Sequence, residues 1–144
     1  MTSVPRSVIA AFAVTIMLAG CGGGTSRGNG RQSDAASAKT VWRRAITAVA
    51  KSDPAACSYF AHATLRALRS ETGLSCREFV RQAGLLITPA DEAAIARLRP
   101  TVRVHGDRAE VRYKVSPALA KVGLSGGTVM KKSGGRWLIE SKKR

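Results

Sequence analysis

TVRVHGDRAEVRYKV, residues 101–115, is the stretch from which the fold is read. Val102 and Val104 alternate with Arg103 and His105, and Ala109, Val111, Tyr113 and Val115 alternate with Glu110, Arg112 and Lys114. A period of two belongs to strands with one face buried and one face wet. Gly106 and Asp107, between the two runs, supply a two-residue hairpin turn. That turn fixes the register. Val104 opposes Ala109, Val102 opposes Val111 and Arg103 opposes Glu110, so apolar meets apolar on one face and opposite charges meet on the other.

Towards the C-terminus, Ser116 to Gly127 contains Pro117 and three glycines and reads as a connection with room for a short turn of helix. Thr128 to Lys132 and Arg136 to Ser141 then form a second hairpin around Gly134-Gly135. Trp137, Leu138 and Ile139 are consecutive, which predicts a strand covered on both faces, as an inner strand is. The basic tail Lys142, Lys143, Arg144 reads as solvated.

Before Pro100 the period is helical. Ala38, Val41, Trp42, Ala45, Ile46 and Val49 recur at three- and four-residue intervals and predict an amphipathic helix over residues 38–51. Ser52-Asp53-Pro54 ends it and starts a second helix, Asp53 capping free amides and Pro54 fitting the first helical position. Cys57, Phe60, Ala61, Leu65 and Leu68 share one face of that helix, which stops at Thr72-Gly73. Ser75 and Glu78 form a capping box that opens a third helix with Cys76, Phe79, Val80 and Ala83 on its apolar side. Thr88-Pro89-Ala90-Asp91-Glu92 opens a fourth, with Ala94, Ile95 and Leu98 inward, ending near Arg99-Pro100. Helices first and hairpins afterwards make an α+β domain over residues 38–144, the N-terminal helices packed on a curved antiparallel sheet of about four strands.

The other end of the chain speaks to location. Arg6 is followed by an apolar run from Val8 to Leu18 and then by Leu18-Ala19-Gly20-Cys21. This is the order of charge, hydrophobe and small residues found in a secretory signal. The run is shorter than the roughly 20 residues that span a bilayer as a helix, so it reads as a leader to be cut, not an anchor. Leu-Ala-Gly-Cys resembles the lipobox of bacterial lipoproteins, in which the Cys thiol is joined to diacylglycerol and the leader is removed before it. That resemblance implies a signal peptide over residues 1–20, lipid attachment at Cys21, and residence on the extracytoplasmic face of the cell membrane. Residues 21–37 are Gly, Ser, Thr, Asn, Asp, Ala, Arg and Gln without apolar periodicity and read as a flexible tether. Their glycines lack the preceding strand and the Lys-Ser or Lys-Thr ending of a phosphate-binding loop.

Export sets the chemistry of the remaining thiols. Cys57 and Cys76 lie on the buried faces of neighbouring helices in a chain sent to an oxidising space, which predicts a disulfide between them. The competing reading makes Cys57 a nucleophile assisted by His62. No metal or other cofactor is expected, because the cysteine spacing and the two histidines, His62 and His105, match no ligand pattern. The net charge is +15, and removing residues 1–20 takes away only Arg6. An excess of that size favours anionic lipid heads, acidic wall polymers or nucleic acid, and export argues against the last. A solvated surface rich in Arg with no dedicated partner is the plain alternative.

With its lipobox, Trp42 in a long first helix, Asp53-Pro54 and Cys57 at the second, Cys76 in the third and the closing Gly134-Gly135-Arg136-Trp137-Leu138-Ile139, the chain resembles small actinobacterial lipoproteins of the nuclear transport factor 2-like superfamily. The resemblance covers residues 38–144 and implies a cone-shaped fold whose sheet and helices often enclose an apolar pocket. It implies either ligand binding or, in some enzymes, acid and base catalysis. No catalytic residue of that superfamily maps onto this chain, since Asp107 and Glu110 fall on a turn and an outer strand face.

Two function classes follow. The first is a non-enzymatic, membrane-tethered binding module for a small apolar ligand, an anionic envelope component or a protein partner. Trp42, Tyr113 and Trp137 are the candidates to line a pocket, with plain core packing as the competing reading. Arg103, Arg112, Lys114 and Lys131 are the candidates for a basic face. The second class is an isomerase- or dehydratase-like enzyme, which needs a buried ionisable group inside the cone.

Overall fold

The computed structural model describes residues 26–140. The leader, Cys21 and the Lys142-Lys143-Arg144 tail lie outside the described residues. The elements run α1 Ser26–Ala50, a 3₁₀ helix Pro54–Tyr59, α2 His62–Thr72, α3 Cys76–Leu85, α4 Pro89–Ala96, β1 Thr101–His105, β2 Arg108–Arg112, α5 Pro117–Lys121, β3 Gly127–Ser133 and β4 Arg136–Glu140. The fold is α+β, with helices packed against an open four-stranded antiparallel sheet in the order β1-β2-β3-β4. No helix among the described residues is long and apolar enough to cross a membrane.

The first hairpin has the register its alternation predicts: Val104 pairs with Ala109, Val102 with Val111 and Arg103 with Glu110. Gly106 takes a positive φ of 62° at the turn, a conformation that costs glycine nothing. β3 and β4 join through Gly134 and Gly135, also at positive φ. Thr128 and Met130 on β3 face the same side as Ala109, Val111 and Tyr113, and Trp137 and Ile139 on β4 complete the buried face.

α1 lays its predicted stripe across that face. Ala38, Trp42, Ala45 and Ile46 are buried with Val111, Met130, Leu119 and Trp137 in one cluster. A second cluster forms at the far end of α1, where Val49 meets Ala56, Val80 and Ala83. Cys57 and Cys76 are joined by a disulfide beside it, tying the 3₁₀ helix to the start of α3. The Ser75–Glu78 capping box is present, and a second box joins Thr88 to Asp91 at the start of α4.

Three expectations are corrected. Residues 26–37, read as part of a flexible tether, belong to α1, which starts at Ser26. This segment lacks an apolar stripe, but Lys132 on β3 reaches Asp34 at 2.6 Å and fastens it to the sheet. The single helix expected after Pro54 is two pieces. Phe60 is extended, with φ −99° and ψ 141°, and bridges Ile139, while the Ala61 N–H donates to the Ile139 carbonyl at 2.8 Å. The chain thereby covers the open edge of β4 at the cost of one helical turn. β4 stands last in the sheet order and is therefore an edge strand and not an inner one, and Leu138 is only half-buried on its outer side.

Candidate binding surface

Alternation on four strands sends one set of side chains to the side away from α1. Register places Arg103 beside Glu110, Glu110 beside Val129, and Val129 beside Glu140 in one row. The next row holds His105, Arg108, Lys131 and Leu138, and Arg112 and Thr101 follow on the other side. Arg136 opens β4 on this side, its guanidinium donating to the Ser58 carbonyl at 3.4 Å. The outer face therefore carries Arg103, Arg108, Arg112, Lys131 and Arg136 against Glu110 and Glu140, with Lys114 just beyond β2.

The two carboxylates on this face are already engaged. Arg112 lies 3.0 Å from Glu110 and Arg108 lies 3.5 Å from Glu140. Arg103 and Glu110 oppose each other in register as the alternation predicts, and Arg112 on the same strand makes the ion pair with that carboxylate. No ion pair among the described residues involves Arg103, Lys114 or Lys131. These three exposed cations remain available to an external anion. Arg108 and Arg136 belong to the surface too: register places Arg108 beside Lys131 and Arg136 beside Ser133.

The aromatic candidates occupy the core instead. Trp42, Tyr113 and Trp137 are 1, 8 and 2 % exposed. The rings of Trp42 and Tyr113 are 4.8 Å apart at 33°. Trp42 Nε1–H donates to Thr128 Oγ1 at 3.3 Å, and the Tyr113 hydroxyl lies 3.3 Å from the same oxygen. Burial raises the Tyr113 pKa above the ordinary phenol value, against an opposing hydrogen bond to Thr128. The Trp137 ring lies under the Lys132 ammonium at 5.6 Å, and its indole N–H has no partner among the described residues.

Two depressions, of about 350 and 240 Å³, lie between α1 and α4. The smaller includes Trp42 with Arg43, Ile46 and Ile95 in its lining, whereas Tyr113 and Trp137 line neither. The three aromatic residues belong to one buried cluster as packing partners.

Among the described residues no His, Asp or Glu is buried. Thr128 is the one buried polar side chain apart from the aromatic heads among the described residues. Asp107 and Glu110 stand on the hairpin turn and the outer face, and His62 and His105 are exposed. Cys57 is consumed in its disulfide, which excludes it as a free nucleophile in this state. No group of three His, Cys, Asp or Glu side chains among the described residues is placed to hold a metal ion. The carboxylates with shifted affinities are structural. Lys121, then the Thr88 backbone and hydroxyl, bring the Asp91 pKa down from 3.8 to about 2, and the Ser75 hydroxyl and N–H lower that of Glu78. The chain matches no protein family, no curated protein and no solved structure.

Proposed function

We propose that this chain is a lipid-anchored extracytoplasmic protein whose α+β domain is a non-enzymatic binding module for an anionic component of the cell envelope. The observation that carries the reading is the outer sheet face, where Arg103 and Lys131, with Lys114 just beyond β2, make no ion pair among the described residues while both acids of that face are occupied. A phosphate-bearing polymer or headgroup suits such a face, since guanidinium groups pair with phosphate in a fixed fork geometry. A packed aromatic core favours this partner over a small apolar ligand. The lipobox-like Leu18-Ala19-Gly20-Cys21 supports the anchor.

Two measurements test the two halves. Mass spectrometry of the processed N-terminus is expected to find Cys21 first and acylated; an unacylated first residue ends the anchor. Binding to a soluble poly(glycerol phosphate) is expected to weaken as salt rises and to fall further in Arg103→Glu/Lys131→Glu. Affinity indifferent to both would end the assignment of the sheet face.

A further inference from the structure

Leu85 and Leu86 are 79 and 57 % exposed. The third large exposed hydrophobe, Val115, stands apart from them in the chain, and single apolar residues at a surface need no explanation. Two adjacent leucines at a helix end are different. They sit where α3 hands over to α4, and this turn is held tightly from below. The Leu86 N–H donates to Ala83 and the Ile87 N–H to Gly84, each at 3.1 Å. A side chain on Gly84 would overlap the Ser52 hydroxyl, so α3 rests directly on the turn that ends α1. Ile87 packs into the main core. The leucines are thus presented by a fixed support and are not left over from a loose loop.

Three bases stand near them, with the acids of the neighbouring α4, Asp91 and Glu92, in its first turn. Arg77, Arg81 and Leu85 follow one another at intervals of four on α3, which puts them on one helical stripe. All three are exposed, as is Lys51 beside Ser52. No ion pair among the described residues uses Arg77, Arg81 or Lys51. The nearest acid on α3, Glu78, is held by its own capping box, accepting from the Ser75 N–H and hydroxyl at 2.7 Å each.

We propose that Leu85 and Leu86 form a tip that enters the outer leaflet of an anionic phospholipid bilayer, with Arg77, Arg81 and Lys51 on its headgroups. The juxtaposition selects that occupant. An apolar pair flanked by unpaired bases matches a surface that is hydrocarbon inside and negative at its rim. The inference rests on the proposed anchor for its setting. α1 has 25 residues and at about 1.5 Å each is about 37 Å long, with the Cys21 side at one end and the leucine turn at the other. Contact at both ends therefore lays α1 along the membrane. Thr40, Arg44 and Thr47 on α1 and Lys51 just after it are exposed on one stripe that carries two bases and no acid of its own, with Glu92 of α4 across the depression from Thr47 and Lys51.

The test uses the processed, acylated protein reconstituted on vesicles of phosphatidylglycerol and phosphatidylcholine with brominated acyl chains. Leu85→Trp, and separately Leu86→Trp, report contact with the chains, because Trp42 and Trp137 are enclosed and supply a constant background. The expected result is a blue shift and a loss of emission for both variants, with little loss from the parent protein. Reporters that stay unquenched on vesicles carrying the protein overturn the proposal. So does a blue shift that grows with protein concentration in vesicle-free buffer, which would assign the leucines to a second copy. Mass spectrometry of Cys21 on the same sample reads the anchor separately: an unacylated chain that is still quenched keeps the tip and removes the anchor, and an acylated chain that is not quenched does the reverse.

Discussion

Thr128 is a small residue with two large dependants. Its oxygen, 7 % exposed at the residue, receives the Trp42 N–H and meets the Tyr113 hydroxyl. Thr128→Val keeps the volume and the β-propensity but strands both groups in the core, where an unmet donor costs about 1–3 kcal/mol. A denaturant titration should register that loss, and Tyr113→Phe in the Thr128→Val background should recover part of it. Asp91 is the second residue with a definite consequence. Its pKa is depressed from 3.8 to about 2 by Lys121, whose ammonium is 2.6 Å away, and by Thr88. A depressed carboxylate contributes stability above the ordinary pKa that is lost as pH falls through the folded value. This contribution is therefore whole above about pH 4 and fades towards pH 2. Lys121→Gln should raise the Asp91 pKa only part of the way back, because the Thr88 bonds remain; a carbon-detected NMR titration that leaves the value unmoved would show that Lys121 has no such role.

At the scale of elements, the legible parts were those specified locally. The first hairpin could be placed to the residue because a period of two and a Gly-Asp turn leave a single register that brings Val102, Val104, Ala109 and Val111 to one face. The capping box of α3 was readable for a similar reason, Ser75 and Glu78 being three apart. What was not readable depends on partners distant in sequence. The early start of α1 has Asp34 meeting Lys132, and the break at Phe60 has Ala61 meeting Ile139. The leucine tip has no periodic signal of its own, since Leu85 and Leu86 only become anomalous once α3 is seen to bury Val80 and Ala83 and leave them out. The basic face was half legible: alternation named Arg103, Arg112, Lys114 and Lys131, and the structure adds Arg108 and Arg136 on the same side. The Cys57–Cys76 link joins residues 19 apart, and closing such a loop removes about 3 kcal/mol of unfolded-state entropy. Cys57→Ser/Cys76→Ser should lower the urea midpoint and steepen the dependence on urea, since the released unfolded chain exposes more surface. A midpoint that does not move would mean the second cluster holds α3 without the bond.

For the whole molecule the dominant quantity is charge, 24 Lys and Arg against 9 Asp and Glu. Four ion pairs are formed among the described residues, all with partly exposed side chains, and exposed pairs are worth about 0–1 kcal/mol each. Self-repulsion among the remaining cations acts on the folded state at every separation within a Debye length, about 10 Å at 0.1 M salt. Screening should therefore relieve more repulsion than attraction, and the free protein should melt higher as sodium chloride rises. Chloride is the right salt for this comparison, because sulfate strengthens apolar burial by itself. With an anionic polymer bound the sign reverses. A ligand at 100 times its Kd adds about 2.7 kcal/mol to the folded state, and that gain shrinks as salt weakens the complex. Thermal melts across a salt series, with and without poly(glycerol phosphate), should converge from opposite directions. A free protein that melts lower in salt would show that its ion pairs outweigh its repulsion, and parallel curves would show that the polymer does not use the charged face.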